Sequence, residues 1–147
     1  MAKEGYARLC QQIVENVEDA IIFANRQGVI RLWNPGAETL FGYASTEAIG
    51  QSVELIIPES LRQRHWEGFR RVVATGVTRY DQRLLAIPAV RKDGVRLILE
   101  MTLALVRDSS GVILGVAAVA RDVTPLAVSQ IMPCTTRERA AAETTIV

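Results

Sequence analysis

One histidine, His65, lies in a predicted helix whose neighbouring inward-facing positions carry apolar side chains or glycine. It is the only histidine of the 147-residue chain. The stripe at helical spacing consists of Leu61, His65, Gly68, Phe69, Val72, Val73 and Gly76. A neutral imidazole that faces an apolar interior needs a partner for its nitrogens. A metal-bearing cofactor could supply that partner, and a buried backbone carbonyl could supply it equally well.

The rest of the sequence offers little for catalysis. Cys10 and Cys134 lie near opposite ends of the chain, which suits two unpaired thiols better than a disulfide framework or a metal cluster. We find no nucleophile and base spaced for use with His65, no glycine-rich phosphate loop and no zinc-ligand spacing. The sequence therefore predicts that the chain is not an enzyme.

The composition is that of a globular domain, with 49% hydrophobic and 22% charged residues. The formal net charge of +1 gives no electrostatic reason to expect binding to nucleic acid or to an anionic membrane. No apolar run is long enough to span a membrane, and the first residues lack the apolar core of a signal peptide. We expect a cytoplasmic location.

The elements that must position His65 follow from the hydrophobic pattern. It predicts an amphipathic helix over 5–18, a hairpin over 20–33, two short helices, a helix over about 59–75 and a final group of three strands. The strands are expected at 79–91, 97–105 and 112–123, and the odd-numbered leucines of the second strand should face the core. We expect one α+β domain over 19–124, a flanking helix over 1–18 and a tail or signalling linker over 125–147.

The last strand is small and apolar on both faces between Gly115 and Ala120. An antiparallel strand with one wet face should alternate, so its outer face is expected to be covered. Either the N-terminal helix or a second subunit could cover it. We predict a homodimer, because an exposed apolar sheet face of this size would favour association.

Four short motifs then occur in order: WNPGAETLFGY at 33–43, EAIG at 47–50, RKDG at 91–94 and RDVT at 121–124. The first resembles the N-x-A-x-x-x-x-G-Y signature of PAS sensory domains, and the others resemble motifs that follow it in that family. The resemblance covers about residues 8–124. It implies a PAS fold, with a five-stranded antiparallel sheet, helices packed on one face and a small-molecule pocket between them.

A second resemblance concerns His65 itself. Arg64-His65, with Gly76 eleven residues after the histidine and the RKDG turn beyond, is similar to haem-binding PAS domains of bacterial oxygen-sensing kinases. In those domains a histidine at this place is the axial iron ligand. The resemblance implies haem b as a possible cofactor, with His65 as the metal ligand. The residues expected to line the pocket are His65, Phe69, Leu85, Ile87, Met101, Leu103 and Val119.

The sequence departs from these relatives on the other side of the pocket. Leu85 stands where they carry an arginine that hydrogen-bonds bound oxygen, so the expected donor is missing. Arg83 could reach into the pocket or lie at the surface. Met101 could be a weak sixth ligand or a flexible filler of an irregular pocket. Trp66 lies about 100° around the helix from His65, so we expect it on the outer surface or at an interface.

The resemblance also bears on flavin. Light-sensing PAS domains form a photo-adduct through a cysteine in the central helical region, and no cysteine lies between Cys10 and Cys134. Adduct-forming flavin chemistry is therefore not expected, although non-covalent flavin binding stays open.

Two functions remain from the sequence. The first is a ligand or gas sensor that relays a conformational change to an effector kinase or regulator through its termini or a dimer interface. The second is a ligand-free interaction module in signal transduction or transcription regulation. His65 favours the first function, and the doubly apolar last strand favours the second.

Overall fold

The computed structural model describes residues 2–78 and 84–124. The helices are α1 (Lys3–Asn16), α2 (Pro35–Phe41), α3 (Ser45–Ala48) and α4 (Arg62–Thr75), with two 3₁₀ turns at Val53–Ile56 and Glu59–Leu61. The strands are β1 (Ala20–Asn25), β2 (Ile30–Trp33), β3 (Leu85–Val90), β4 (Arg96–Arg107) and β5 (Ile113–Asp122). Within the described ranges, no helix is long and apolar enough to cross a membrane.

The five strands form one antiparallel sheet in the order β2-β1-β5-β4-β3. The predicted α+β class and the five-stranded sheet are confirmed. Strand β5, the last of these five in sequence, is the central strand, because β1 pairs along one edge of it and β4 along the other. Strand β4 alternates as the sequence predicts, with Leu97, Leu99, Met101 and Leu103 buried on the inner face.

Local signals place the helix ends correctly. Asn34 caps α2 by accepting a hydrogen bond from the Ala37 amide at 2.9 Å, and Pro35 occupies the first helical position. Gly76 ends α4 in the left-handed conformation, with φ of 71°. The long helix begins later than expected, since residues 59–61 form a 3₁₀ turn.

Asn34 also ties three elements together. Its Oδ1 accepts from the Ile21 amide at 2.8 Å, while its Nδ2 donates to the carbonyls of Val14 and Asp19 at 2.9 and 3.0 Å. The side chain is buried, so these bonds replace the water that its polar atoms would otherwise contact. The C-terminal part of α1 is thereby fixed to the start of β1 and to α2.

Helix α1 ends two residues earlier than predicted and leaves its apolar side open. Tyr6, Leu9 and Ile13 are exposed, and α1 has no buried residue. The outer face of β5 is also open, since Leu114 and Val119 are 45% and 39% exposed. Of the two coverings considered for this face, the N-terminal helix does not supply one, because Asn34 anchors α1 beside α2 instead. The predicted tail over 125–147 and the predicted start of the third strand, 79–83, lie outside the described residues.

Candidate ligand-binding site

A cavity of about 70 Å³ lies between the inner face of the sheet and the helical segment 53–69. Its wall is apolar except for one side chain, His65. The helical side of the wall comprises Val53, Ile56, Ile57, His65 and Phe69. The sheet side comprises Ile22, Ala24, Ile87, Pro88, Ala89, Leu99, Met101, Leu103, Val116 and Ala118. Such a cavity favours an apolar ligand that offers His65 one polar or metal partner.

The imidazole of His65 is held deep in this wall. The residue is 4% exposed, and its ring lies 4.9 Å from the Trp66 ring and 5.8 Å from the Phe69 ring, between centroids. Its Nε2 atom is buried and has no hydrogen-bond partner. The sequence left a backbone carbonyl open as a partner of the imidazole, and no carbonyl bonds to Nε2. An unsatisfied buried polar atom of this kind costs on the order of 1–3 kcal/mol unless a ligand meets it.

Burial lowers the pKa of His65 from its ordinary value of 6.5 to about 4, and the nearby Glu54 carboxylate opposes this shift only in part. The ring is therefore neutral at pH 7. A neutral imidazole that carries its proton on Nδ1 presents a lone pair at Nε2, which is the form that binds a metal ion or accepts a hydrogen bond.

The structure brings most of the predicted site residues together. His65, Phe69, Ile87, Met101 and Leu103 all line the cavity. Their meeting follows from strand register, because Ile87 pairs with Leu99 and Leu103 pairs with Ala118, which places alternate residues of β3, β4 and β5 on one face. Leu85 is buried opposite Met101 but lies outside the cavity lining.

Val119 is a correction to the predicted site. It lies on the outer face of the sheet, where it pairs with Ile21 and Thr102, and the cavity-facing residues of β5 are Val116 and Ala118. Strand β5 is apolar on both faces, so its sequence pattern does not reveal which parity points inward. The outward direction becomes clear only from its pairing with β4.

Trp66 is a second correction. It is half-buried against the core rather than on the outer surface. Its ring lies against the turn between β1 and β2 so closely that a Cβ atom at Gly28 would overlap it. Its indole nitrogen donates to Glu54 Oε1 at 2.5 Å. The position of Trp66 on the helix indicated that its side chain points away from that of His65. It did not indicate that the turn between β1 and β2 packs against the ring.

Several lining residues were missed from the sequence. Val53 and Ile56 belong to the first 3₁₀ turn and Ile57 follows it, and this short apolar run gave no periodicity to interpret. Leu99 could have been found, because the same alternation that selected Met101 and Leu103 includes it. Arg83 lies outside the described residues, as does Cys134. Cys10 lies on α1 away from the cavity.

The residues fit haem b in chemistry. Haem iron accepts a neutral imidazole nitrogen, and the porphyrin requires an apolar wall on both faces. Nε2 of His65 is a nitrogen of that kind within an apolar wall. A porphyrin is much larger than about 70 Å³, so the helical segment must move away from the sheet to admit it. In the described ranges, no group of three or more His, Cys, Asp or Glu side chains is arranged to hold a bare metal ion.

The fold and the cavity define the class: an α+β domain whose antiparallel sheet and helices enclose an apolar cavity. The sequence model of the PAS fold matches residues 14–128. The chain therefore belongs to the PAS family, whose domains are generally sensory and non-catalytic.

Individual relatives agree with this assignment. The chain is 34% identical to the sensor protein FixL of Bradyrhizobium diazoefficiens over 88 residues, which is 57% of this chain and 17% of FixL. It is 30% identical to the oxygen sensor protein DosP of Escherichia coli over 108 residues, which is 65% of this chain and 13% of DosP. The chain thus spans less than a fifth of the length of these relatives.

Among solved structures, the crystal structure of the PAS domain of a protein from Colwellia psychrerythraea superposes with a TM-score of 0.71. The two are 25% identical, and the match covers 82% of this chain and 98% of that one. The whole fold, and not only the motifs, is therefore that of a PAS domain.

Proposed function

We propose that this PAS domain is the sensory part of a signalling system and that its cavity binds haem b through His65. The observation that carries the proposal is that His65 lines the cavity and that its buried Nε2 atom lacks a hydrogen-bond partner. The similarity to FixL and DosP supports the same function. Because those proteins are much longer than this chain, we expect the effector, a kinase or regulator, in additional sequence or in a separate protein.

Each part of the site has a defined task in this proposal. His65 presents a neutral nitrogen on a rigid helix, and Phe69 packs beside its ring and limits its rotation. The aliphatic wall from β3, β4 and β5 excludes water from the bound group. Haem, when bound, supplies an iron whose remaining coordination position can take a small gas. Leu85 lies outside the cavity lining and carries no hydrogen-bond donor, so it does not replace the arginine of oxygen-sensing relatives.

The test is an absorption spectrum of the purified protein after expression with haem supply or reconstitution with hemin. We expect a Soret band in the wild type and its loss in His65→Ala. Met101→Leu is the matched control, because it changes another cavity residue of similar size. The control should retain the Soret band, and a changed band position in it would make Met101 the second iron ligand. A wild-type protein that stays colourless after reconstitution would overturn the haem assignment and favour the ligand-free interaction module.

We also propose that a second copy of the chain covers the outer face of the sheet. Val119 and Leu114 are exposed there, and Ile21, Phe23 and Ala117 are only partly buried around Val119. Around Val119 this face is formed by uncharged residues of all three strands: Ile21, Phe23, Thr102, Ala104 and Ala117. Its charged residues Glu100 and Arg121 lie opposite each other towards one end, so two copies can pack on the uncharged part without burying an unpaired charge.

Light scattering coupled to gel filtration tests this interface. The wild type should elute as a dimer, and Val119→Glu should shift it to a monomer. Val95→Glu is the control, because Val95 is a similarly exposed valine in the β3–β4 turn. A monomeric wild type, or a dimer that Val119→Glu leaves intact, would contradict the interface.

A further inference from the structure

The helical wall of the cavity is attached to the hairpin β1–β2 in two different ways. The first 3₁₀ turn is fixed by backbone bonds, since the Val53 amide donates to the Gly28 carbonyl at 2.9 Å and the Ile30 amide donates to the Gln51 carbonyl at 2.9 Å. Helix α4 reaches the same hairpin through the Trp66 side chain, which packs on Gly28 and donates to Glu54.

Trp66 is the neighbour of His65 in the chain and packs edge-on against its ring and against Phe69. It does not line the cavity, so it acts from behind the wall. The ends of α4 are held by other contacts: Arg62 donates to the Ile57 carbonyl, and Arg107 donates to the Gly76 carbonyl. Trp66 joins the first turns of the helix, where His65 lies, to the hairpin.

We infer that Trp66 is a latch that holds α4 closed over the cavity, and that its release from Glu54 and the Gly28 turn admits the ligand. For haem as the ligand this rests on the proposed function. The latch itself does not depend on a ligand, because Trp66, Glu54 and Gly28 all belong to the protein. The cavity is too small for a porphyrin when the latch is closed, so uptake must wait for the open state.

The sequence provides a matched pair of tryptophans for the test. Trp33 is buried and Trp66 half-buried, and the indole nitrogen of Trp33 likewise donates one hydrogen bond, to the Tyr43 carbonyl at 2.9 Å. Trp66→Phe and Trp33→Phe therefore each remove an indole that donates one hydrogen bond. Only Trp66 belongs to α4, whereas Trp33 lies in β2. Glu54→Ala is a second variant that removes the acceptor and leaves the tryptophan in place.

Stopped-flow mixing of apoprotein with hemin measures the rate of uptake, and amide hydrogen exchange of α4 peptides measures opening without any ligand. A hydrogen bond to a charged group corresponds to roughly tenfold in the open population, so Trp66→Phe and Glu54→Ala should speed uptake and α4 exchange by roughly tenfold. Trp33→Phe should leave both rates close to wild type.

The two proposals fail in different ways. If wild type and all variants bind no hemin, the haem assignment fails, and α4 exchange alone decides the latch. If hemin binds but Trp66→Phe and Glu54→Ala change neither uptake nor α4 exchange, the latch is overturned while the haem assignment stands. Equal acceleration in Trp33→Phe also overturns it, because general loosening would then explain the effect.

Discussion

The contribution of His65 to the pH dependence of folding stability can be predicted without interference from any other histidine. The chain has one histidine, and histidine is the side chain whose unperturbed pKa lies in the range between pH 5 and 8. We compare the wild type with His65→Leu, which keeps an apolar side chain of similar size and removes the unpartnered Nε2. The measured quantity is the difference between the free energies of unfolding of the two proteins.

The sign follows from where the proton binds. The pKa of His65 is about 4 in the folded protein and 6.5 in the unfolded chain. Between these values the unfolded chain holds a proton that the folded protein does not, so lowering the pH favours unfolding. The lowered pKa costs no stability above about pH 7, and the cost grows as the pH falls towards 4.

The magnitude comes from the same two values. Between pH 6.5 and pH 5 there are 1.5 pH units, and each unit corresponds to about 1.36 kcal/mol, which gives about 2 kcal/mol. The wild type should therefore lose about 2 kcal/mol more than His65→Leu between pH 8 and pH 5. The difference between the two proteins removes the contribution of carboxylates that titrate in both.

Urea denaturation of the ligand-free proteins at pH 8, 7, 6 and 5, followed by circular dichroism, supplies the free energies. The proton NMR signal of the single imidazole should also stay at its neutral position down to pH 5. Parallel loss of stability in both proteins would refute the reasoning, because it would mean that His65 accepts a proton as easily when folded as when unfolded. A gain of wild-type stability at low pH would show a charged, paired imidazole.

Three further substitutions should change the free energy of unfolding, measured in urea at pH 8. Asn34→Ala should cost about 2–4 kcal/mol, because it leaves the amides of β1 and α2 and two carbonyls without partners. Leu99→Ala should cost about 3–5 kcal/mol, since this leucine is fully buried beside the cavity. Gly28→Ala should cost about 1–3 kcal/mol more than Gly94→Ala: both glycines have positive φ, but only Gly28 faces the Trp66 ring. Equal costs at the two glycines would contradict the position of Trp66.

The parts of the fold that the sequence predicts well are those set by neighbouring residues. Asn34 followed by Pro35 indicates a helix start, and Gly76 indicates a helix end, because the backbone conformations they favour are local properties. The inward face of β4 was predictable for the same reason, since large leucines alternate with polar or smaller residues along one strand.

The errors concern directions that depend on distant parts of the chain. Val119 was assigned to the wrong face because β5 is small and apolar on both sides, so only its pairing with β1 and β4 fixes the parity. Trp66 was expected on the outer surface or at an interface, because helix geometry does not reveal that the Gly28 turn packs against its ring. Helix α1 was one of two possible covers for the sheet, but the side chain of Asn34 binds it beside α2.

His65 shows most clearly what the structure adds to the sequence. The apolar stripe predicted a buried imidazole but left open whether a cofactor or a carbonyl satisfies it, and the structure shows no carbonyl or other protein group bonded to Nε2. In a ligand-free protein this arrangement destabilises the fold, so replacement by leucine should raise stability at every pH and most at low pH. A group that lowers stability at a cavity wall is typical of a binding site rather than of a core. The combination of a more stable His65→Leu protein with a lost Soret band would therefore identify the imidazole as a ligand-binding group, because a core histidine lost to leucine would change stability without removing a cofactor.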